Sequence, residues 1–288
     1  MALLFGAVLA ATVVTYARLP PDDLYSVSQG GLAGGLGRGL VEINFPISLI
    51  AIPMALLAVD VLRRPWATAL AAIAIVACLV TTLPGVIEKL DLDAKPVNAI
   101  PAAGVALTIA LIAAAFGSLR GRAPRLWCDP VRVVLAAGIA VAAIPYLFAE
   151  LGFYAPDPIL ADEPTPGEDI AAVHLGSHEG MDGALLALGA LALSRLLPWF
   201  VRRSLAAAVS AALAFLLAYG LANLVQDDWL EQVVKRGWTD HSIPSFVAPQ
   251  LSLGWALVIA TAIAIEVLWL RRERRAVTRR LRSCLDGG

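Results

Sequence analysis

The sequence predicts an all-α fold, a bundle of about eight helices crossing a membrane, with both termini in the cytoplasm. Three observations predict it. Of 288 residues, 59% are hydrophobic and 16% charged, against about 45–50% and about 25% in soluble domains. The apolar residues come in runs of about 20, the length a hydrocarbon core demands, rather than at amphipathic spacing. Basic and acidic residues also fall in different loops, so the net charge of −1 hides a separation of sign.

Taken in order, the predicted spans are residues 2–17, 41–62, 66–87, 99–119, 131–151, 181–197, 204–224 and 251–270. They make one membrane domain, residues 1–271, followed by a short arginine-rich tail, 272–288. The first run lacks a basic n-region, and Tyr16-Ala17-Arg18 is a poor cleavage site, so it is expected to be a retained helix. Residues 18–40 read as a loop, with Pro20-Pro21 and six glycines between Gly30 and Gly39. No Lys-Ser/Thr follows that run, so it does not form a P-loop; a closely packed or flexible connection is expected. Arg63-Arg64-Pro65 makes a tight turn. Residues 120–130 form a basic loop, and residues 152–164 an acidic, proline-broken one. Residues 225–250 read as a polar loop with Asp227-Asp228-Trp229 and Asp240-His241. Pro46, Pro53, Pro101 and Pro145 within or beside spans are expected to kink helices, which neighbouring helices tolerate.

A cytoplasmic N-terminus would place sixteen of the 22 Lys and Arg residues inside, as the positive-inside rule requires. Trp66, Trp127, Trp199 and Trp269 then fall near cytoplasmic edges, and Trp229, Trp238 and Trp255 near outer ones. The composition, rich in Ala and Arg with Lys only at Lys89, Lys95 and Lys235, suggests a GC-rich bacterial genome and hence a bacterial inner membrane. Cys78, Cys128 and Cys284 form no CxxC and are expected to be free thiols. The arginines read as topology anchors. A tail this short beside a membrane gives no support for a nucleic-acid partner; the expected partners are membrane lipids and a lipid-like or small-molecule substrate. Nothing indicates an oligomeric state.

Eighteen of the 23 carboxylates and all three histidines fall on the other, outer side. Thr165-Pro166-Gly167-Glu168 has the form of a helix start. A helix from there to Leu197 would be about 48 Å long, so its polar front end would stand clear of the hydrocarbon. On it His174, His178 and Asp182 recur at i, i+4 and i+8, on one face. Two imidazoles and a carboxylate can hold a divalent metal such as zinc and leave a position open for water. His241 is the alternative ligand, and Glu179 or Glu150 the expected general base. Glu42, Asn44, Asn223 and Asp228 are predicted at similar depth, lining a shared outward pocket that would take the substrate. The expected chemistry is metal-assisted hydrolysis or group transfer on a lipid or lipid-linked substrate.

Competing readings are plain. The same residues suit a helix end that is only capped and hydrated. His178-Glu179 is followed by Gly180-Met181-Asp182, so the HExxH zincin motif is absent. A haem held by His174 or His178 against His241, and a relay from Asp240-His241 to Ser242 or Ser245, carry little weight, because haem histidines usually lie within the spans and a triad is recognised across the fold. An ion- or proton-coupled transporter or channel would need polar residues reaching the cytoplasmic side, where only Asp60 and Glu266 stand near a span. A non-catalytic subunit of a membrane complex is the third alternative. The chain lacks the phosphatase-type Ser-Gly-His signature, the paired Asp-rich motifs of prenyltransferases and the many histidines of membrane desaturases.

Overall fold

The structure, a computed structural model, describes residues 31–83, 97, 99–117, 126–150, 179–234, 236–246 and 250–275. Helices make up its regular structure, and no strand occurs among the described residues. They are α1 (Gly31–Leu62), α2 (Pro65–Leu79, with a 3-10 turn Val80–Thr82), α3 (Ala99–Ala115), α4 (Asp129–Ala142), α5 (Ile144–Glu150) and α6 (Glu179–Ser194). Then come α7 (Arg203–Trp229), drawn on by a π-helical turn Leu230–Val234, and α8 (Leu253–Ala264), whose π-helical stretch Ile265–Leu270 runs into a last turn ending at Arg275.

Among the described residues, four stretches are long and apolar enough to cross a membrane: Asn44–Leu62, Pro65–Thr82, Arg203–Val234 and Leu253–Arg275. Ala99–Ala115 and Gly180–Ser194 are apolar but shorter. The expected first span and the polar front of the sixth, residues 165–178, lie outside the described residues.

Several boundaries differ from the sequence reading. α1 is already helical at Gly31, the first described residue, ten residues before the expected start at Val41. Its glycines lower helix propensity, but glycine is common in membrane helices. Residues 131–150 are not one unbroken helix. α4 stops at Ala142 and α5 starts at Ile144, because Pro145 has no N–H to give and its ring crowds the carbonyl four residues back. α6 ends at Ser194, a few residues early, where Pro198 lies in the 3-10 turn Leu197–Trp199. The largest correction is at α7. Residues 225–234, read as loop for their polarity, continue the helix, because Gln226, Asp227 and Glu231 are buried among other helices.

α6 and α7 form the closest-packed pair. They touch backbone to backbone: a Cβ added to Gly183 would stand 2.5 Å from the Gly220 carbonyl oxygen, and one on Gly220 equally close to that of Gly183. Only glycine at both positions permits this crossing. α1 lies on α6, α2 and α3; α4 lies on α6; α8 lies on α7. Leu186, Leu213, Leu217 and Ile50 are buried in the resulting core. The outward residues of α2, α4 and α8 are apolar too, among them Ile73, Val133, Leu257 and Ile263. A soluble protein rarely carries such a surface; a helix facing lipid does.

Side-chain bonds separate two ends of this bundle. At one, Asp60 of α1 accepts from the backbone N–H of Val201 and Arg202 and pairs with the Arg202 guanidinium at 2.6 Å. There too Arg132 of α4 donates to Ser194 of α6 at 2.8 Å and grips both carboxylate oxygens of Glu273. Its guanidinium lies 5.2 Å from the centre of the Trp269 ring. Asp129 pairs with Arg132 and Arg195, and Glu266 with Arg274 and the Ser210 hydroxyl. These arginines therefore do more than anchor topology. They clamp α4, α6, α7 and α8 together.

Candidate functional site

The opposite end gathers the acidic residues. α7 presents Asn223, Asp227 and Glu231 at i, i+4 and i+8, with Gln226 on the same flank. All four are buried, and Asp227 is 0% exposed. α6 is tied to them at its first described residues: the backbone N–H of Gly180 donates to Asp227 Oδ2 at 2.8 Å. The carboxylate thus joins α7 to a helix belonging to another part of the chain by a charge-assisted hydrogen bond. α5 contributes Tyr146, whose side chain is fully buried and whose hydroxyl donates to Asp228 Oδ1 at 2.7 Å. Gly180 has to be glycine for this assembly. A Cβ there would stand 2.5 Å from the Tyr146 ring and 2.6 Å from Asp227 Oδ2.

The two amides beside the carboxylates are half used. Asn223 Nδ2 donates to the Tyr219 carbonyl at 2.9 Å, and Gln226 Nε2 to that of Ile243 at 3.3 Å. Turning either amide over would set oxygen against oxygen, so the assignment is fixed by these contacts. What remains in each case is a buried oxygen, Asn223 Oδ1 and Gln226 Oε1, with no hydrogen-bond partner among the described residues. Native proteins seldom leave such acceptors unmet. This part of the cluster therefore suits a donor or a cation, and repels an anion.

Of the residues anticipated from sequence, Asn223 and Asp228 belong to this cluster. Asp182 sits in the first turn of α6, half-buried. Asn44 is buried on α1, where its Oδ1 accepts from Ser48 at 3.4 Å. His241 lies in the segment after α7, exposed, with its carbonyl accepting from the Trp229 indole at 2.7 Å. Glu42, Glu150 and Glu179 are on α1, α5 and α6, their side chains outside the described part. His174 and His178 lie outside the described residues. Among the described residues no three His, Cys, Asp or Glu side chains converge as metal ligands would. Tyr146, Gln226, Asp227 and Glu231 were not anticipated as site residues. Their signal was the i, i+4, i+8 spacing of Asn223, Asp227 and Glu231, concealed by reading those residues as loop.

No known protein family, curated protein or solved structure matches this chain. Fold and site together define its class: a helical protein with several helices long and apolar enough to span a membrane and with chemically distinct ends.

Proposed function

We propose that this is an integral membrane protein of the bacterial inner membrane. In this reading it binds a cation at the acidic end of its bundle, on the periplasmic side. It uses that ion in hydrolysis or group transfer on a lipid or lipid-linked substrate. One observation carries the reading: Asn223 and Gln226, on the stretch of α7 that holds Asp227 and Asp228, each donate to a backbone carbonyl and keep a buried oxygen with no partner among the described residues. Carbonyl and carboxylate oxygens are the ligands hard divalent ions take, and an imidazole in the set would favour zinc. His178, two positions ahead of Gly180 in the chain, is the imidazole best placed by sequence, with His174, His241 and Asp182 the remaining candidates. A bound divalent ion would supply Lewis acidity or an acidified water, and Glu179 or Glu150 would take the proton.

A one-sided site is favoured over a carrier by the middle of α7. Between Ser210 and Tyr219 its buried residues are Leu213, Ala214, Leu216, Leu217 and Ala218, a stretch of α7 with no polar side chain to offer an ion. Metal content of the purified protein tests the proposal. Wild type is expected to carry about one divalent ion per chain, retained less by Asp227→Asn and by His178→Ala with the helical circular-dichroism signal unchanged. Wild type that stays metal-free at neutral pH when supplied with zinc, manganese or magnesium overturns it.

A further inference from the structure

The opposite, arginine-rich end carries a separate feature, independent of that reading. α1 and α4 both pack on α6 without forming a substantial interface with each other. A groove of about 540 Å³ runs between them, within the usual size of a ligand site. Its walls include Ile47 and Ile50 of α1, Val133 of α4 and Leu188 of α6, and at its end stand Asp129, Arg132 and Arg195. We propose that this groove seats one acyl chain of phosphatidylethanolamine, with the lipid phosphate on Arg195 and its ammonium on Asp129.

Length selects the occupant. The floor of the groove runs along α6 from Leu185 to Arg195, ten residues or about 15 Å of helix. That is half of a hydrocarbon core about 30 Å thick, one leaflet deep. A transmembrane helix packed there would need the full depth, whereas one acyl chain needs only this much.

Charge selects the headgroup. Arg132 is buried and neutralised by Glu273. Among the described residues, the charged groups that reach the surface at the mouth are Asp129 and Arg195, 3.0 Å apart, with side chains 25% and 30% exposed. This described pair, one charge of each sign, complements a headgroup that carries both. Asp129 accepts from the Leu126 N–H, from Arg132 and from Arg195. A carboxylate has about four acceptor positions, and the donors among the described residues take three, which leaves room for an ammonium N–H. Phosphatidylcholine has no N–H to offer it, and phosphatidylglycerol has no cation.

The full-length protein, purified in detergent and stripped of lipid, is incubated with phosphatidylethanolamine, phosphatidylcholine or phosphatidylglycerol, and retained lipid is counted by native mass spectrometry. Phosphatidylethanolamine is expected to be held about fivefold more tightly than phosphatidylcholine, the factor one exposed charged contact provides. Asp129→Asn, which keeps an acceptor for the Leu126 N–H, is expected to abolish that preference. Ala192→Phe, at an exposed position lining the groove, is expected to lower retention of all three lipids. Equal retention of phosphatidylcholine, or tighter retention of phosphatidylglycerol, overturns the headgroup assignment. Undiminished retention by Ala192→Phe overturns the groove as the seat.

Discussion

At each end of the bundle a fully buried aspartate accepts a backbone N–H from another part of the chain: Asp60 that of Arg202 just before α7, Asp227 that of Gly180 on α6. What surrounds each aspartate differs. Asp60 is also held by the Arg202 guanidinium, and Asp129, Glu266 and Glu273 nearby each sit in an ion pair with arginine. Asp227 accepts a backbone N–H and Asp228 a phenol hydroxyl. On the same stretch of α7, Asn223 and Gln226 each keep an amide oxygen with no partner among the described residues. The same device serves closure at one end and leaves acceptors in place at the other. The arginine end reads as the clasp of the fold, and the acidic end as the place where a ligand would be received.

The largest expected effect tests the clasp. Arg132→Ala would leave Glu273 buried without its counter-charge, at a cost of about 3–5 kcal/mol. Thermal unfolding in detergent measures it. The double replacement of Arg132 by Met and Glu273 by Leu is expected to recover most of the loss, because two apolar side chains of similar volume leave no charge to desolvate. A single variant as stable as wild type would break the comparison at its structural end. On the acidic side, Tyr146→Phe removes a hydrogen bond to a carboxylate, and the expected cost is smaller, about 1.5–3 kcal/mol. If instead it exceeded the Arg132→Ala loss, the acidic end would be the clasp and the roles would reverse.

Much of this contrast was legible in the sequence, because charge sign and apolar run length are properties of the chain itself. The arginine-rich and acidic ends, the helical class and several spans follow from those two signals. What they could not supply is which face of a helix is buried. Asp227 and Glu231 look like loop residues by polarity, and only the packing of α6 and Tyr146 against them makes them helical and interior. Arg132 likewise reads as one more anchor until Glu273, 141 residues later, is folded against it. A break such as the one at Pro145 is foreseeable as a kink, but its size depends on what fills the gap. The residues expected to bind metal from one face of a long helix are only partly described, and Asp182 is the member of that set on α6.

A smaller effect on stability sharpens the functional side. Asn223→Leu and Gln226→Leu each remove one amide, losing a single neutral hydrogen bond while also removing a buried oxygen that has no partner among the described residues. The two changes nearly offset, so unfolding is expected to shift by about 1 kcal/mol or less. Divalent-ion retention is expected to fall in both variants. Retention at the wild-type level in the pair combined would mean that those oxygens serve packing alone, and the two ends would then differ in charge but not in purpose.

The smallest effect is a null in the wild type. Cys128 lies just before α4, buried against the Arg132 cluster; burial first and the nearby Glu273 carboxylate second push its thiol up to about 11. The thiolate is the nucleophile, so at pH 8 roughly one molecule in a thousand would be reactive there. In a Cys284→Ser background, maleimide labelling of the folded protein at pH 8 is expected to be negligible, and to rise with pH toward 11. Arg132→Ala removes a guanidinium that lowers this value, so a change acting through charge alone would slow labelling further. Opening of the clasp would speed it by exposing the sulfur to water. Cys78, buried between α2 and α3, is the internal control. Faster labelling at Cys128 with Cys78 still protected would show the arginine end parting while the rest of the bundle holds. Labelling of both together would show that the clasp and the core unfold as one unit.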